Sequence, residues 1–103
     1  MTRIDKLMAF LKDSPTDSFL QHALALEYQK IGDVQKARKL FEKLLQENPQ
    51  YVGSYYHLAK LLEGAGEETA ALVVYEKGME QAKLQNDQHA LSELRSAWEE
   101  LSY

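Results

Sequence analysis

The chain has 103 residues and a mass of 11.8 kDa, the size of a single domain that can bury a real core. It contains no cysteine, so a disulfide framework and a thiolate metal site are excluded. Sixteen acidic and twelve basic residues give a formal charge of −4, which argues against binding to a nucleic-acid backbone.

Apolar residues at helical spacing predict six helices, whereas the alternation typical of strands is absent. The predicted ranges are 2–13, 17–31, 34–47, 52–65, 68–84 and 87–101. The first begins at Thr2, with Asp5 placed as in a variant of the capping box. Gly32 and Gly66, each followed by an acidic residue, indicate tight turns within helical hairpins. Pro49 ends the third helix because proline disfavours helical geometry in the residue before it.

The last predicted helix, 87–101, carries apolar residues three or four positions apart, with charged residues among them. Asn86 and Asp87 can cap it. We expect this helix to close the C-terminal end of the core, with Trp98 as its main contact. Gly78 in the preceding helix favours a close approach between backbones, so we expect the last helix to pack there.

The sequence repeats itself after 34 residues. Between positions 24 and 43 this shift gives six identities in twenty positions, where chance gives about one or two. The identical pairs are Leu24/Leu58, Ala25/Ala59, Gly32/Gly66, Ala37/Ala71, Glu42/Glu76 and Lys43/Lys77. The same shift relates Pro15 to Pro49, so half a repeat precedes the first full one.

These residues resemble the tetratricopeptide repeat (TPR) family, and within it the short bacterial members. The matching positions are Leu24-Ala25, Tyr28, Gly32, Ala37, Phe41 and Pro49 in the first repeat, and Tyr55, Leu58-Ala59, Leu62, Gly66, Ala71 and Tyr75 in the second. The sequence departs from the family pattern at Gln21, Leu44, Gly78 and Lys83. The resemblance implies an all-α fold, a right-handed superhelix of about six helices with a capping helix at each end.

The expected organisation is one domain, 1–103. It divides into an N-terminal capping helix (2–13), a first repeat (16–49), a second repeat (50–83) and a C-terminal capping helix (86–102). Small residues are needed where the helices of a hairpin meet, and we expect Ala25, Ala37, Ala59 and Ala71 there. Aromatic residues are expected to fill the wedges between successive hairpins, namely Tyr28, Phe41, Tyr55 and Tyr75.

In TPR proteins the first helix of each hairpin lines a concave groove, so the resemblance implies a binding site for a peptide or helix of a partner protein. The corresponding residues are Phe19, His22, Ala23, Leu26, Gln29, Lys30, Tyr56, His57, Lys60 and Glu63. Basic residues among them favour acidic groups of the partner, and Phe19, Leu26 and Tyr56 would take its apolar anchors. Alternatively, a terminal helix covers these side chains and makes them core.

The Lys and Asn pair with which chaperone-tail-binding members grip a terminal carboxylate is replaced by His22 and Leu26. The alternative to partner binding is a homodimer, formed through an incompletely closed end of the core or through exposed aromatic side chains.

No motif for catalysis or cofactor binding is present. The only Gly-x-Gly is Gly64-Ala65-Gly66, at a predicted turn, and no serine has a nucleophile-elbow context. His22 and His57 occupy near-equivalent positions, but no cysteine or His-Glu-x-x-His motif completes a zinc site. We therefore expect no enzymatic activity, no cofactor and no metal.

Membrane and export signals are also absent. Charged residues such as Arg3, Lys6 and Lys12 interrupt the first twenty positions, and no apolar run approaches the roughly twenty residues of a membrane span. We expect a cytoplasmic protein without a membrane partner.

Overall fold

The computed structural model describes all 103 residues and contains six α-helices and no strand. The helices are α1 (Arg3–Asp13), α2 (Ser18–Lys30), α3 (Val34–Glu47), α4 (Gly53–Gly64), α5 (Glu68–Leu84) and α6 (Gln88–Ser102). The predicted all-α content is confirmed, and every predicted helix end agrees with the structure within one residue. None of the six helices has the length and apolar character needed to cross a lipid bilayer.

The helices form two compact units. Met1–Asn48 contains α1, α2 and α3, and Pro49–Tyr103 contains α4, α5 and α6. In the first unit, α1 and α3 both pack against α2; in the second, α4 and α6 both pack against α5.

Three tight turns share one backbone geometry. Gly32, Gly66 and Asn86 follow the ends of α2, α4 and α5 with φ angles of 85°, 78° and 58°. This left-handed conformation closes the C-terminus of a helix, because the next amide then reaches back to a carbonyl that the helix leaves unpaired. The closing hydrogen bonds are 2.9 Å long and run from Asp33 to Tyr28, from Glu67 to Leu62 and from Asp87 to Ala82.

Side chains cap the start of four helices, as the sequence indicates for α1, α3 and α6. Thr2 and Asp5 form a complete capping box at α1. Single aspartates, Asp17, Asp33 and Asp87, accept a backbone hydrogen bond at α2, α3 and α6. Each such cap contributes about 1 kcal/mol to helix stability.

The core of the first unit has α1 as one wall. Leu7, Ala23 and Leu24 form a buried cluster, against which partly buried side chains pack: Ile4, Leu11, Leu20, Tyr28 and Leu40. Ala25, Ala37 and Phe41 are completely buried, as predicted. Tyr28 is only partly buried, and its hydroxyl faces the Met8 Sδ atom at 3.8 Å.

The core of the second unit forms where α6 meets α4 and α5. Ala59, Ala71 and Tyr75 are completely buried there, again as predicted. Gly78 lies against both other helices: a Cβ atom added to it would stand 2.7 Å from the Tyr55 Cβ atom and 3.0 Å from a Leu94 methyl. The glycine therefore permits a close approach of α4 and also the packing of α6 that the sequence predicts. Trp98 is partly buried and its indole N–H donates to Glu76 at 3.0 Å.

Candidate functional site

The α2 part of the predicted groove contains one strongly exposed apolar side chain. Phe19 is 66% exposed. His22, Leu26 and Gln29 are half-buried and Lys30 is exposed. Residues three, four or seven positions apart share a side of a helix, so Phe19, His22 and Leu26 lie on one side of α2. His22 packs edge-on against the Phe41 ring, with 5.7 Å between the ring centroids.

Ala23 requires a correction to the predicted groove. It is only 8% exposed and belongs to the buried cluster with Leu7 and Leu24. Its methyl group faces the core because α1 packs on that side of α2. Ala23 thus contributes to the stability of the first unit, and a partner would reach the neighbouring side chains instead.

The α4 part of the predicted groove is an organised cluster of half-buried residues. The Lys60 ammonium lies 3.6 Å from a Glu63 carboxylate oxygen and 5.6 Å from the centroid of the Tyr56 ring. Tyr56 packs edge-on against His57 and Tyr75, with centroid separations of 5.8 and 6.4 Å. All four predicted α4 residues, Tyr56, His57, Lys60 and Glu63, are therefore close to one another and partly accessible.

Tyr75 of α5 fixes this cluster from the core side. Its ring is completely buried, and its hydroxyl donates a hydrogen bond to the Glu63 carboxylate. Burial, followed by the interaction with Glu63, raises the pKa of Tyr75 well above its ordinary value, so the hydroxyl remains a donor. Sequence reasoning assigned Tyr75 to the core and missed this second role. The available signal was the difference between repeats, since the first has Phe41 and Gln29 at the positions of Tyr75 and Glu63.

Burial disfavours the charged form of His57. Burial lowers its pKa below the usual value of 6.5, and the negative charge of Glu93 on α6 opposes this effect. The structure contains no group of three or more His, Asp or Glu residues that could hold a metal ion.

Two further exposed apolar side chains lie on α1, outside the predicted groove. Met8 is 48% and Phe10 is 58% exposed. They lie two positions apart and therefore point to different sides of the helix, while Leu7 packs into the core.

Comparison with known proteins places these features in a family. The model of the tetratricopeptide repeat matches residues 31–97. A tetratricopeptide repeat domain protein from Salinibacter ruber is 40% identical, with 84% of this chain and 88% of that chain covered and a TM-score of 0.81. No protein of curated function matches the sequence.

Two more distant structures share the fold. A Bordetella parapertussis protein is 24% identical over 99% of this chain and 89% of that chain, with a TM-score of 0.84. The TPR2B domain of yeast Sti1, solved as a complex with pHsp70, is 19% identical over 96% of this chain and 79% of that chain, with a TM-score of 0.85. The predicted fold class is therefore confirmed, and the chain belongs to the tetratricopeptide repeat family.

Proposed function

We propose that this protein is a non-catalytic interaction module that binds a peptide or helix of a partner protein. The family is generally one of non-catalytic interaction modules, and its fold is a common means of protein–protein interaction. In the proposal the contacts are made by two surfaces, each within its own unit. The α2 surface consists of Phe19, His22, Leu26, Gln29 and Lys30, and the α4 surface of Tyr56, His57, Lys60 and Glu63.

The exposure of Phe19 is the observation that carries the proposal. A phenylalanine with 66% of its surface in water gives up part of the stabilisation that burial would provide. Aromatic side chains are enriched among the anchors of protein interfaces, where a partner removes them from water. Leu26 lies on the same side of α2 and extends the apolar contact. The complex of the Sti1 domain with pHsp70 supports a protein ligand for a domain of this fold.

The charge of the α2 surface favours an acidic group of the partner. Lys30 is exposed at the C-terminal end of α2, and His22 lies two turns before it. An ammonium group at the rim of an interface guides association and orientation more than it adds affinity.

Self-association is the second candidate function, favoured by the exposed Met8 and Phe10 on α1. Two copies could bury either of these side chains in an interface about a two-fold axis. Light scattering over a range of protein concentrations tests it. A particle mass near 24 kDa, twice the 11.8 kDa of one chain, that falls in a Met8→Ala/Phe10→Ala variant would support the dimer, and a monomer at high micromolar concentration would exclude it.

Partner binding is tested by capture from a lysate of the source organism, with a Phe19→Ala/Leu26→Ala/Tyr56→Ala variant. We expect this variant to lose the captured partner and to keep its helicity and nearly its melting temperature. The matched control is Ile31→Ala/Val73→Ala/Leu84→Ala, which truncates three apolar side chains that are exposed elsewhere on the chain. Equal capture by both variants, or a large loss of stability in the first, would contradict the proposed role of these side chains.

A further inference from the structure

The α4 surface holds a cation between an aromatic ring and a carboxylate. That cation is the protein's own Lys60 ammonium, 5.6 Å from the Tyr56 centroid and 3.6 Å from Glu63. The face of an aromatic ring attracts positive charge, and a carboxylate at its edge adds a charge-assisted hydrogen bond. The two side chains Tyr56 and Glu63 thus form a cation-binding position, and the position remains open to solvent, since the Glu63 side chain is 25% and that of Lys60 is 37% exposed.

Tyr56 and Glu63, which form this position, are held in place by neighbouring residues, whereas the Lys60 side chain that now occupies it is flexible. The Tyr75 hydroxyl holds the Glu63 carboxylate, and Tyr75 and His57 hold the Tyr56 ring edge-on. Lys60 reaches the position on a four-carbon stem, and a partly exposed ion pair spaced i, i+3 contributes little to stability. The Lys60 ammonium can therefore leave with little loss of stability, while Tyr56 and Glu63 stay preorganised for another cation.

The charge around the position favours a further cation over an anion. The second unit contains nine acidic and four basic residues, whereas the first contains seven and eight. Glu93 and Glu100 of α6 act electrostatically on His57 and Tyr75, which both contact Tyr56. A partner carboxylate at Lys60 would meet this negative field and would compete with Glu63, whereas a partner cation gains from both.

We propose that the α4 surface accepts an arginine of the partner protein, whose guanidinium replaces the Lys60 ammonium between Tyr56 and Glu63. Arginine fits better than lysine because its planar, weakly hydrated group stacks on a ring while it donates two parallel hydrogen bonds to a carboxylate. This inference rests on the proposed function and specifies the partner's chemistry at the α4 surface. From the sequence, Lys60 suggested an acidic group of the partner at the α4 surface, and the inference replaces that group with a basic one. Lys30 on the α2 surface still favours an acidic group.

Three acetylated and amidated tripeptides test the proposal: Leu-Arg-Leu, Leu-citrulline-Leu and Leu-Glu-Leu. Citrulline has nearly the shape of arginine without its charge. Binding is followed by the amide chemical shifts of the 15N-labelled protein, which report affinity and place. We expect the arginine peptide to shift Tyr56, Lys60 and Glu63 at millimolar concentrations, and the other two peptides to bind at least about fivefold more weakly there.

Variants separate the roles of the individual side chains. Lys60→Ala vacates the position, so affinity for the arginine peptide should rise roughly three- to tenfold, whereas Lys77→Ala, on the exposed side of α5, should leave it unchanged. Glu63→Gln should remove the binding. Tyr75→Phe should weaken it and leave the preference for arginine over citrulline intact, since Tyr75 acts only by positioning Glu63.

Two results would overturn the inference. The glutamate peptide could bind more tightly than the arginine peptide and lose this binding in Lys60→Ala. That result would identify the α4 surface as an anion site. The absence of site-specific shifts with all three peptides would show that it is no docking surface for a charged side chain. Either result leaves the capture experiment with the triple variant to decide the proposed function on its own.

Discussion

The side-chain amide of Gln21 donates a hydrogen bond of 2.9 Å to the backbone carbonyl of Pro15. In the second repeat, 34 residues later, the Tyr55 hydroxyl donates to the carbonyl of Pro49. Gln21 departs from the family pattern, which has a large residue at this position, yet it performs the same task as Tyr55. The repeat therefore preserves a donor for the carbonyl that precedes its first helix, although the residue type differs.

Removal of the Tyr55 hydroxyl should destabilise the protein. In Tyr55→Phe only the hydroxyl is lost, and with it the partly buried hydrogen bond to the Pro49 carbonyl, so we expect a loss of about 1 kcal/mol in the free energy of unfolding in urea. Tyr28→Phe is the matched control, since its hydroxyl faces only the Met8 sulfur in an exposed place. Equal stability of the two variants would show that the Tyr55 hydrogen bond contributes nothing.

Gly78 should tolerate no side chain. Alanine usually stabilises a helix by about 1 kcal/mol over glycine, but a Cβ atom here would stand 2.7 Å from the Tyr55 Cβ atom. We expect Gly78→Ala to be destabilising by about 1–3 kcal/mol and Gly78→Leu to loosen α6, measured by urea unfolding and by amide exchange in α6. Gly64→Ala, at the end of α4 with no atom within 4 Å of the added methyl, is the control and should not destabilise. Unchanged stability in Gly78→Leu would mean that α6 packs elsewhere.

Asn86 is the one residue besides glycine with a positive φ, 58°, and it closes α5. Glycine adopts this conformation without the steric cost that a Cβ atom imposes. Asn86→Gly should therefore raise the free energy of unfolding by a few tenths of a kcal/mol to about 1 kcal/mol, whereas Asn86→Ala should lower it by about 1 kcal/mol. Thermal unfolding checks both changes. The turn assignment would be contradicted if alanine were as stable as glycine at this position.

The helices and their turns were predictable because their signals are local. Gly32 with Asp33, and Asn48 with Pro49, mark helix ends through their own backbone preferences. The burial of Ala25 and Ala59 followed from the repeat, since a small residue recurs only where backbones approach.

The candidate site was less predictable because long side chains choose their partners in three dimensions. The sequence placed Lys60 and Glu63 on the same helix side as groove residues, but it did not show that they pair with each other or that Tyr75 holds Glu63. The burial of Ala23 depends on which side of α2 is covered by α1, which the repeat pattern leaves open. Gln21 looked like a departure because its donor role depends on where the turn before α2 places the Pro15 carbonyl.

The half-buried His57 should make the protein less stable below neutral pH. Its pKa in the folded protein lies below 6.5, the value of the unfolded chain, mainly because burial disfavours the charged imidazolium. As the pH falls below about 6.5, the unfolded chain binds a proton that the folded protein still excludes, so the free energy of unfolding decreases until the pH passes the folded pKa. Urea unfolding at intervals between pH 7.5 and about 5 should show this decrease, and His57→Gln should flatten it.

Glu93→Gln removes the negative charge that opposes the lowering of the His57 pKa, so it should deepen the decrease in stability. His89→Gln, on the exposed side of α6, should leave the decrease in place. If the profile flattens in His89→Gln instead, the decrease arises from His89 and not from His57.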